Sequence, residues 1–311
     1  MNTEYWLYLI IGLVFFNYLF STVLDYINDK NWRDQIPPLM KDYYDKENYI
    51  KAKNYAKDKG KISLISSTLS TLITILFLAF KGYGWLDSII ANYYDIPFLQ
   101  SGLFFLTLFI LSDVVSIPFS CYNTFVIEEK YGFNKTTVKT FVIDKIKGYV
   151  LTLTIGGGLL AASFYLVSIL VNGFWLWLWI GLAILMLFIN MFYADIIVPI
   201  FNKLTPLERG SLREKIEAYS KKVGYSLKNI YIIDGSKRSS KANAFFSGLG
   251  PRKTIALYDT LVEKHSEEEL VAVLAHEVGH FKKKHVFTSL FLTIFQLGLM
   301  CFLLELCLKE T

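Results

Sequence analysis

Phe174-Trp175-Leu176-Trp177-Leu178-Trp179-Ile180-Gly181-Leu182-Ala183-Ile184-Leu185-Met186-Leu187-Phe188-Ile189-Asn190-Met191-Phe192 contains no charged side chain. As a helix it rises about 28 Å, close to the hydrocarbon thickness of a bilayer. The apolar run continues to Val198, and five other stretches share its character: Tyr5 to Leu24, Ile62 to Phe80, Phe98 to Phe119, Tyr149 to Val171 and Val286 to Leu308. With 53% hydrophobic residues and a positive mean hydropathy, the composition excludes an ordinary soluble domain. The expected fold is an all-α polytopic membrane protein with six spanning helices. The stretch before the first span has Glu4 and neither Lys nor Arg. It also lacks a small-residue cleavage site, so the first span reads as a retained anchor rather than a signal peptide.

Basic residues alternate between the loops. The segment 25–61 carries nine Lys and Arg, 120–148 carries five and 199–285 carries sixteen, whereas 81–97 has only Lys81 and Asn172-Gly173 has none. This pattern puts the amino terminus outside and the basic loops in the cytoplasm. The net charge of +5 then needs no nucleic acid to explain it, because the excess faces anionic headgroups. Three cysteines, Cys121, Cys301 and Cys307, lie in or beside spans and read as apolar residues without a disulfide role. Gly156-Gly157-Gly158 and Gly181 fall inside spans and suggest close helix contacts.

Two of the four histidines occur in Ala275-His276-Glu277-Val278-Gly279-His280. Positions four apart share a helix face, so His276 and His280 can hold one Zn²⁺ while Glu277 lies beside the attacking water as general base. Ser266 and Glu269 form a capping-box pattern ahead of an apolar face of Leu270, Val271, Val273, Leu274 and Val278. Around this helix the segment 199–285 has a mixed pattern. Thr205-Pro206-Leu207 reads as the start of a helix running from about Glu208 to Val223, with Leu212, Ile216 and Tyr219 on one face. Asn229 to Ile233 reads as a strand ending at Asp234-Gly235. Ala242 to Phe246 and Thr254 to Tyr258 read as a hairpin across Gly248 to Lys253. The organisation is therefore 1–198, five spans with cytoplasmic loops 25–61 and 120–148; 199–285, a cytoplasmic α+β zinc-peptidase insertion; and 286–311, a sixth span and tail. A strand beside a zinc helix suits a protease, since it can hold an extended peptide by backbone pairing. A small α+β insertion whose strand merely packs fits the pattern equally well.

Several stretches, in order, carry a resemblance: Ser120-Cys121-Tyr122-Asn123-Thr124-Phe125-Val126-Ile127-Glu128-Glu129-Lys130-Tyr131-Gly132-Phe133-Asn134, then Phe201-Asn202-Lys203-Leu204-Thr205-Pro206-Leu207. They continue with Asp234-Gly235-Ser236-Lys237-Arg238-Ser239, Asn243-Ala244-Phe245-Phe246, Leu257-Tyr258-Asp259-Thr260-Leu261 and Ala272 through His280. Together they resemble the type I CAAX prenyl endopeptidases, integral-membrane zinc proteases. The resemblance implies a ring of membrane helices enclosing a chamber, one zinc per chain facing inward, and Asn243, Ala244 and Phe245 beside the substrate. The implied substrate is a peptide or protein cut near its C-terminus, with or without a prenyl group. Eukaryotic members act in the endoplasmic reticulum membrane. The Asn-, Lys- and Ile-rich usage here leans toward a bacterial cytoplasmic membrane.

The resemblance also implies seven spans and a third zinc ligand, a Glu on a helix well downstream of the second histidine. This sequence reaches Thr311 after six, so the expectation is a chain cut short of that ligand. Were the zinc helix to run on into the last span, Glu305 would lie about 37 Å further along the axis. His285, nine positions beyond His276, would face away from it, and His265 precedes the cap. Asp113, Asp195 and Glu128 are assigned to helix contacts or loop networks. Two alternatives stay open: a membrane quality-control protease like HtpX, whose family places fewer spans before its zinc motif, and a catalytically incomplete chamber protein that binds peptide or lipid.

Overall fold

A computed structural model describes residues 3–170, 172–225, 227, 229–247 and 253–309. The chain packs as two compact units, Met1–Asn134 and Lys135–Thr311. In the first, α1 (Thr3–Asn31), α2 (Lys46–Ala79), α3 (Gly82–Tyr93) and α4 (Pro97–Tyr122) follow one another, and a π-helical turn over Asn123–Glu128 prolongs α4. α1 and α2 pack together and share a hydrogen bond between the Tyr18 and Thr68 hydroxyls at 2.7 Å. Glu128 accepts from the Tyr55 hydroxyl, in keeping with its assignment to a helix network. The sequence pattern makes 81–97 a loop between spans, whereas α3 forms there by burying Leu86 and Ile90.

The second unit begins with α5 (Val138–Ile169), whose first turn is capped when Thr140 N–H donates to the Thr137 hydroxyl. α6 (Phe174–Phe192) follows, continued by a π-helical turn over Tyr193–Ile197 and by α7 (Val198–Phe201). Then come β1 (Leu204–Pro206), α8 (Ser211–Lys222), β2 (Asn229–Ile233), β3 (Ala244–Ser247) and β4 (Thr254–Tyr258). The chain closes with α9 (Asp259–Lys264), α10 (Glu267–Lys282) and α11 (His285–Lys309).

Among the described residues, six helical segments are long and apolar enough to cross a membrane: Glu4–Asn31, Lys46–Ala79, Pro97–Glu128, Val138–Ile169, Phe174–Phe201 and His285–Lys309. Side chains such as Phe16, Phe291 and Phe295 are more than half exposed on them, a surface suited to lipid rather than water.

α6 and α11 form the main helix pair of the second unit. Trp179 Nε1 donates to the Ile294 carbonyl at 2.8 Å, and its indole lies over Gly298, where a Cβ would come within 2.9 Å of the ring. About two turns away, at the start of α6, the Glu305 carboxylate accepts from Gly173 N–H at 2.9 Å and Trp175 N–H at 3.1 Å, and it pairs with Lys309 at 2.6 Å. These amides are free donors at the start of α6, and Glu305, 3% exposed, satisfies them where water is scarce. The close approach therefore occurs at Gly298. At Gly156, Gly157, Gly158 and Gly181 an added Cβ would meet nothing within 4 Å, which corrects the contacts expected there.

The sheet has the order β1-β2-β4-β3. β1 runs antiparallel to β2 with Leu204 opposite Ile233; β2 runs parallel to β4; β3 runs antiparallel to β4 with Ala244 opposite Leu257. The hairpin pairing matches the sequence reading, while its turn at 248–252 lies outside the described residues. Thr205-Pro206 does not begin a helix. Pro206 sits in edge strand β1, where its missing N–H costs no ladder bond, and α8 starts only after Gly210. Ile255, Ala256 and Leu257 of central β4 are at most 1% exposed. Leu270, Leu274 and Val278 of α10, together with Ile216 of α8, join Ile255 and Leu257 in one core. Arg238 ties this layer to α5 through a two-pronged pair with Asp144, Nε to Oδ2 at 2.7 Å and Nη2 to Oδ1 at 2.8 Å, while Nη2 also donates to the Phe201 carbonyl.

Gly298→Val should lower the thermal midpoint in detergent, at a cost of about 1–3 kcal/mol from forcing the indole off its carbonyl partner. Gly157→Val should leave the midpoint near that of the parent. Equal midpoints for the two variants would refute the assignment of the close helix contact to Gly298.

Candidate active site

α10 carries the histidine pair. Its start is fixed by a reciprocal cap: Ser266 Oγ accepts from Glu269 N–H, and Glu269 Oε2 accepts from Ser266 N–H at 2.8 Å. Leu270, Leu274 and Val278, spaced by four, face the sheet. That orientation leaves His276 and His280 exposed and Glu277 half-buried. His276 Nε2 and His280 Nε2 lie 3.1 Å apart. Two nitrogens bound to one tetrahedral zinc at 2.0–2.1 Å would be separated by about 3.3 Å, so the pair fits two positions of such a site. Among the described residues, no third His, Cys, Asp or Glu joins them in a metal-holding group.

The sequence expectation for His285 is overturned. Its Nδ1 lies 2.9 Å from His280 Nδ1. The helical count that pointed it away assumed one continuous helix, but α10 ends at Lys282 and Lys284 adopts φ 58° before α11 begins at His285. Glu305 and His265 stay clear of the pair. Glu305 binds the start of α6, and His265 Nδ1 lies 3.5 Å from Glu269 Oε2.

Glu277, His280 and His285 line an open cavity of about 470 Å³, closed on the α6 side by Met186 and Asn190 and along α11 by Ser289 and Thr293. Behind α10, Tyr225 and Phe281 meet edge-to-face at 5.0 Å. The Lys253 ammonium stands 3.8 Å from the Phe281 centroid and 4.5 Å from that of Tyr225. Burial pushes the Tyr225 phenol up to about 12, and the Glu277 carboxylate adds to this, so the phenol is neutral at any working pH. Burial also pulls the Lys253 ammonium below the usual lysine range. None of His285, Tyr225, Phe281, Lys253 or Asn190 was singled out as a site residue from sequence. Phe281, one turn after Glu277, had a local signal; the others are gathered by tertiary packing.

β3 is an edge strand and packs against α10. Tyr258 N–H donates to the Asn243 carbonyl at 3.0 Å. By antiparallel alternation, Asn243, Phe245 and Ser247 turn their backbone groups toward β4, and Ala244 and Phe246 turn theirs toward the free edge. Asn243 is exposed, and Ala244 and Phe245 are half-buried. The π-helical turn after α6 adjoins the strand: Ala194 N–H donates to Ser247 Oγ at 3.3 Å, and Tyr193 meets Phe245 edge-to-face at 5.9 Å.

Residues 25–203 match a family described as CAAX prenyl protease N-terminal, five membrane helices, and residues 206–310 match peptidase family M48. The chain is 38% identical to a probable CAAX prenyl protease 1 of Schizosaccharomyces pombe over 87% of its own length and 59% of that protein. It is 34% identical to CAAX prenyl protease 1 of Saccharomyces cerevisiae, over 90% and 65% respectively. It is 31% identical to the CAAX prenyl protease 1 homolog of Homo sapiens, over 86% and 66%. The crystal structure of S. mikatae Ste24p superposes with a TM-score of 0.88 at 32% identity, covering 96% of this chain and 71% of that one. The chain thus spans about 59 to 66% of the length of these three relatives, and it is an integral multi-pass membrane protein. All three are eukaryotic and lend no support to a bacterial membrane.

Replacing Ser266 with Ala should cost about 1 kcal/mol and speed hydrogen exchange in the first turns of α10. Unchanged exchange over Leu270–Leu274 would mean that packing alone holds this helix.

Proposed function

The chain belongs to the CAAX prenyl protease family of M48 peptidases, and on that footing we propose that it is a membrane zinc metalloendopeptidase. The observation that carries the proposal is the pair of imidazole nitrogens 3.1 Å apart with a half-buried carboxylate next to them on the same helix. His276 and His280 would hold the metal. Zinc, when bound, supplies Lewis acidity that polarises a scissile carbonyl and acidifies water. Glu277 takes the proton from the attacking water and delivers it to the departing amine. Among residues lining the cavity, Glu277 is the one carboxylate, so both proton transfers fall to it.

The substrate proposed is an extended peptide or protein C-terminus, prenylated or not, laid along the free edge of β3 beside Asn243, Ala244 and Phe245. The outward-facing backbone groups of Ala244 and Phe246 support this reading, because a peptide adding to that edge finds a donor and an acceptor at alternate positions. The site is proposed to face the cytoplasm, with the amino terminus on the opposite side, on the loop charge asymmetry. The segment 199–285 is proposed as the peptidase insertion between spans five and six. The five membrane helices matched before the M48 segment fit this family better than an HtpX-like arrangement.

Glu277→Gln should keep the zinc content of the parent and reduce peptide hydrolysis by about 10²-fold or more. Retention of near-parental turnover would remove Glu277 from its role. Methylating the one backbone amide of a peptide substrate that faces β3 should raise KM at least several-fold, whereas methylation at the neighbouring amide should not. Indifference to both positions would rule out pairing with the strand.

A further inference from the structure

We propose that His285 is a positioning residue that fixes the tautomer and ring orientation of His280. The proposal rests on the reading of His276 and His280 as zinc ligands. His280 is contacted on both ring nitrogens: Nε2 by His276 Nε2 at 3.1 Å and Nδ1 by His285 Nδ1 at 2.9 Å. In a hydrogen bond between two imidazole nitrogens one donates and the other accepts, whereas two nitrogens that share a metal both present lone pairs to it. If His285 donates, the proton of neutral His280 is forced onto Nε2, which then faces His276 with a hydrogen and cannot bind a cation. If His285 accepts, His280 carries its proton on Nδ1 and presents a bare Nε2 lone pair toward His276. The second arrangement is the ligating one, and a partner on the far nitrogen is how ligating histidines are generally held. His285 in turn carries its own proton on Nε2.

The backbone is built to deliver this contact. Lys284 holds a left-handed conformation at φ 58°, which a lysine adopts at a cost of about 1–2 kcal/mol. That single residue redirects the chain so that the first side chain of α11 returns to the last turn of α10. His285 is not itself a third ligand beside the pair, because its Nδ1 is committed to the nitrogen of His280 that points away from His276. The groups sharing its cavity are Glu277 on α10, Asn190 on α6, and Ser289 and Thr293 on α11.

The test uses the detergent-purified chain and zinc alone, with affinity measured by chelator competition for the parent, His285→Ala, His285→Asn and His276→Ala. An Asn carboxamide oxygen can accept a hydrogen bond where the imidazole Nδ1 did. The expected result is zinc binding about 10–100-fold weaker in His285→Ala and largely recovered in His285→Asn. Folding of each variant is checked by its thermal midpoint. With four histidines in the chain, selective ¹⁵N-histidine labelling gives a second readout: the Nδ1–H tautomer of His280 in the parent and in His285→Asn, lost in His285→Ala. Equal affinity in the parent and His285→Ala overturns this proposal alone, as does equal loss in both His285 variants. Failure of the parent to bind zinc more tightly than His276→Ala removes the ligand reading, and this proposal with it.

Discussion

The pairing of α6 with α11 sets the position of everything at the candidate site. Its two locks lie about two turns apart along the helices: the Trp179 indole seated on Gly298 and bonded to the Ile294 carbonyl, and the Glu305 carboxylate on the amides of Gly173 and Trp175. Together they fix register as well as proximity, because neither contact survives a slip of one turn. With the register fixed, the end of α6 and the start of α11 fall at a common level. There, the π-helical turn of Tyr193–Ile197 touches β3, and His285 touches α10. A carboxylate deep in an apolar helix reads as a functional residue by default. Glu305 shows the structural alternative, in which the charge is held by backbone donors and a lysine one turn away.

The spans were legible because lipid imposes a coarse demand on composition: a run such as Phe174 to Val198 has no other use for so many apolar side chains. The histidine pair was legible because its geometry is local, four residues apart on a helix whose cap and apolar face are written beside it. Long-range pairing was not. Thr205-Pro206 carries a proper helix-start signal, since proline suits a first turn, yet pairing with Tyr231 and Ile232 across the sheet decides its fate. The twelve residues of α3 contain two glycines near their start and earn their helix from packing on α4.

His285 shows the limit more sharply. Counting residues along a helix predicts direction only while the helix lasts, and a lysine gives no local notice that it will take a left-handed turn. The aromatic box of Tyr225, Phe281 and Lys253 is hidden for a related reason, as its members come from three separated segments joined only by the burial of α10 on the sheet.

That turn at Lys284 resolves two demands that one straight helix cannot meet. α10 must bury Leu270, Leu274 and Val278 against β4, and α11 must present Gly298 and Glu305 to α6. A continuous helix would force both faces onto one axis, and His285, nine positions after His276, would land about 180° from it. Each buried aliphatic side chain of α10 contributes about 1.5–3 kcal/mol, so three of them outweigh the 1–2 kcal/mol of a left-handed lysine. The break is therefore a favourable exchange for stability alone. By the same exchange, the first residue beyond the break lies against the second histidine of the pair, on the nitrogen that a metal would leave free.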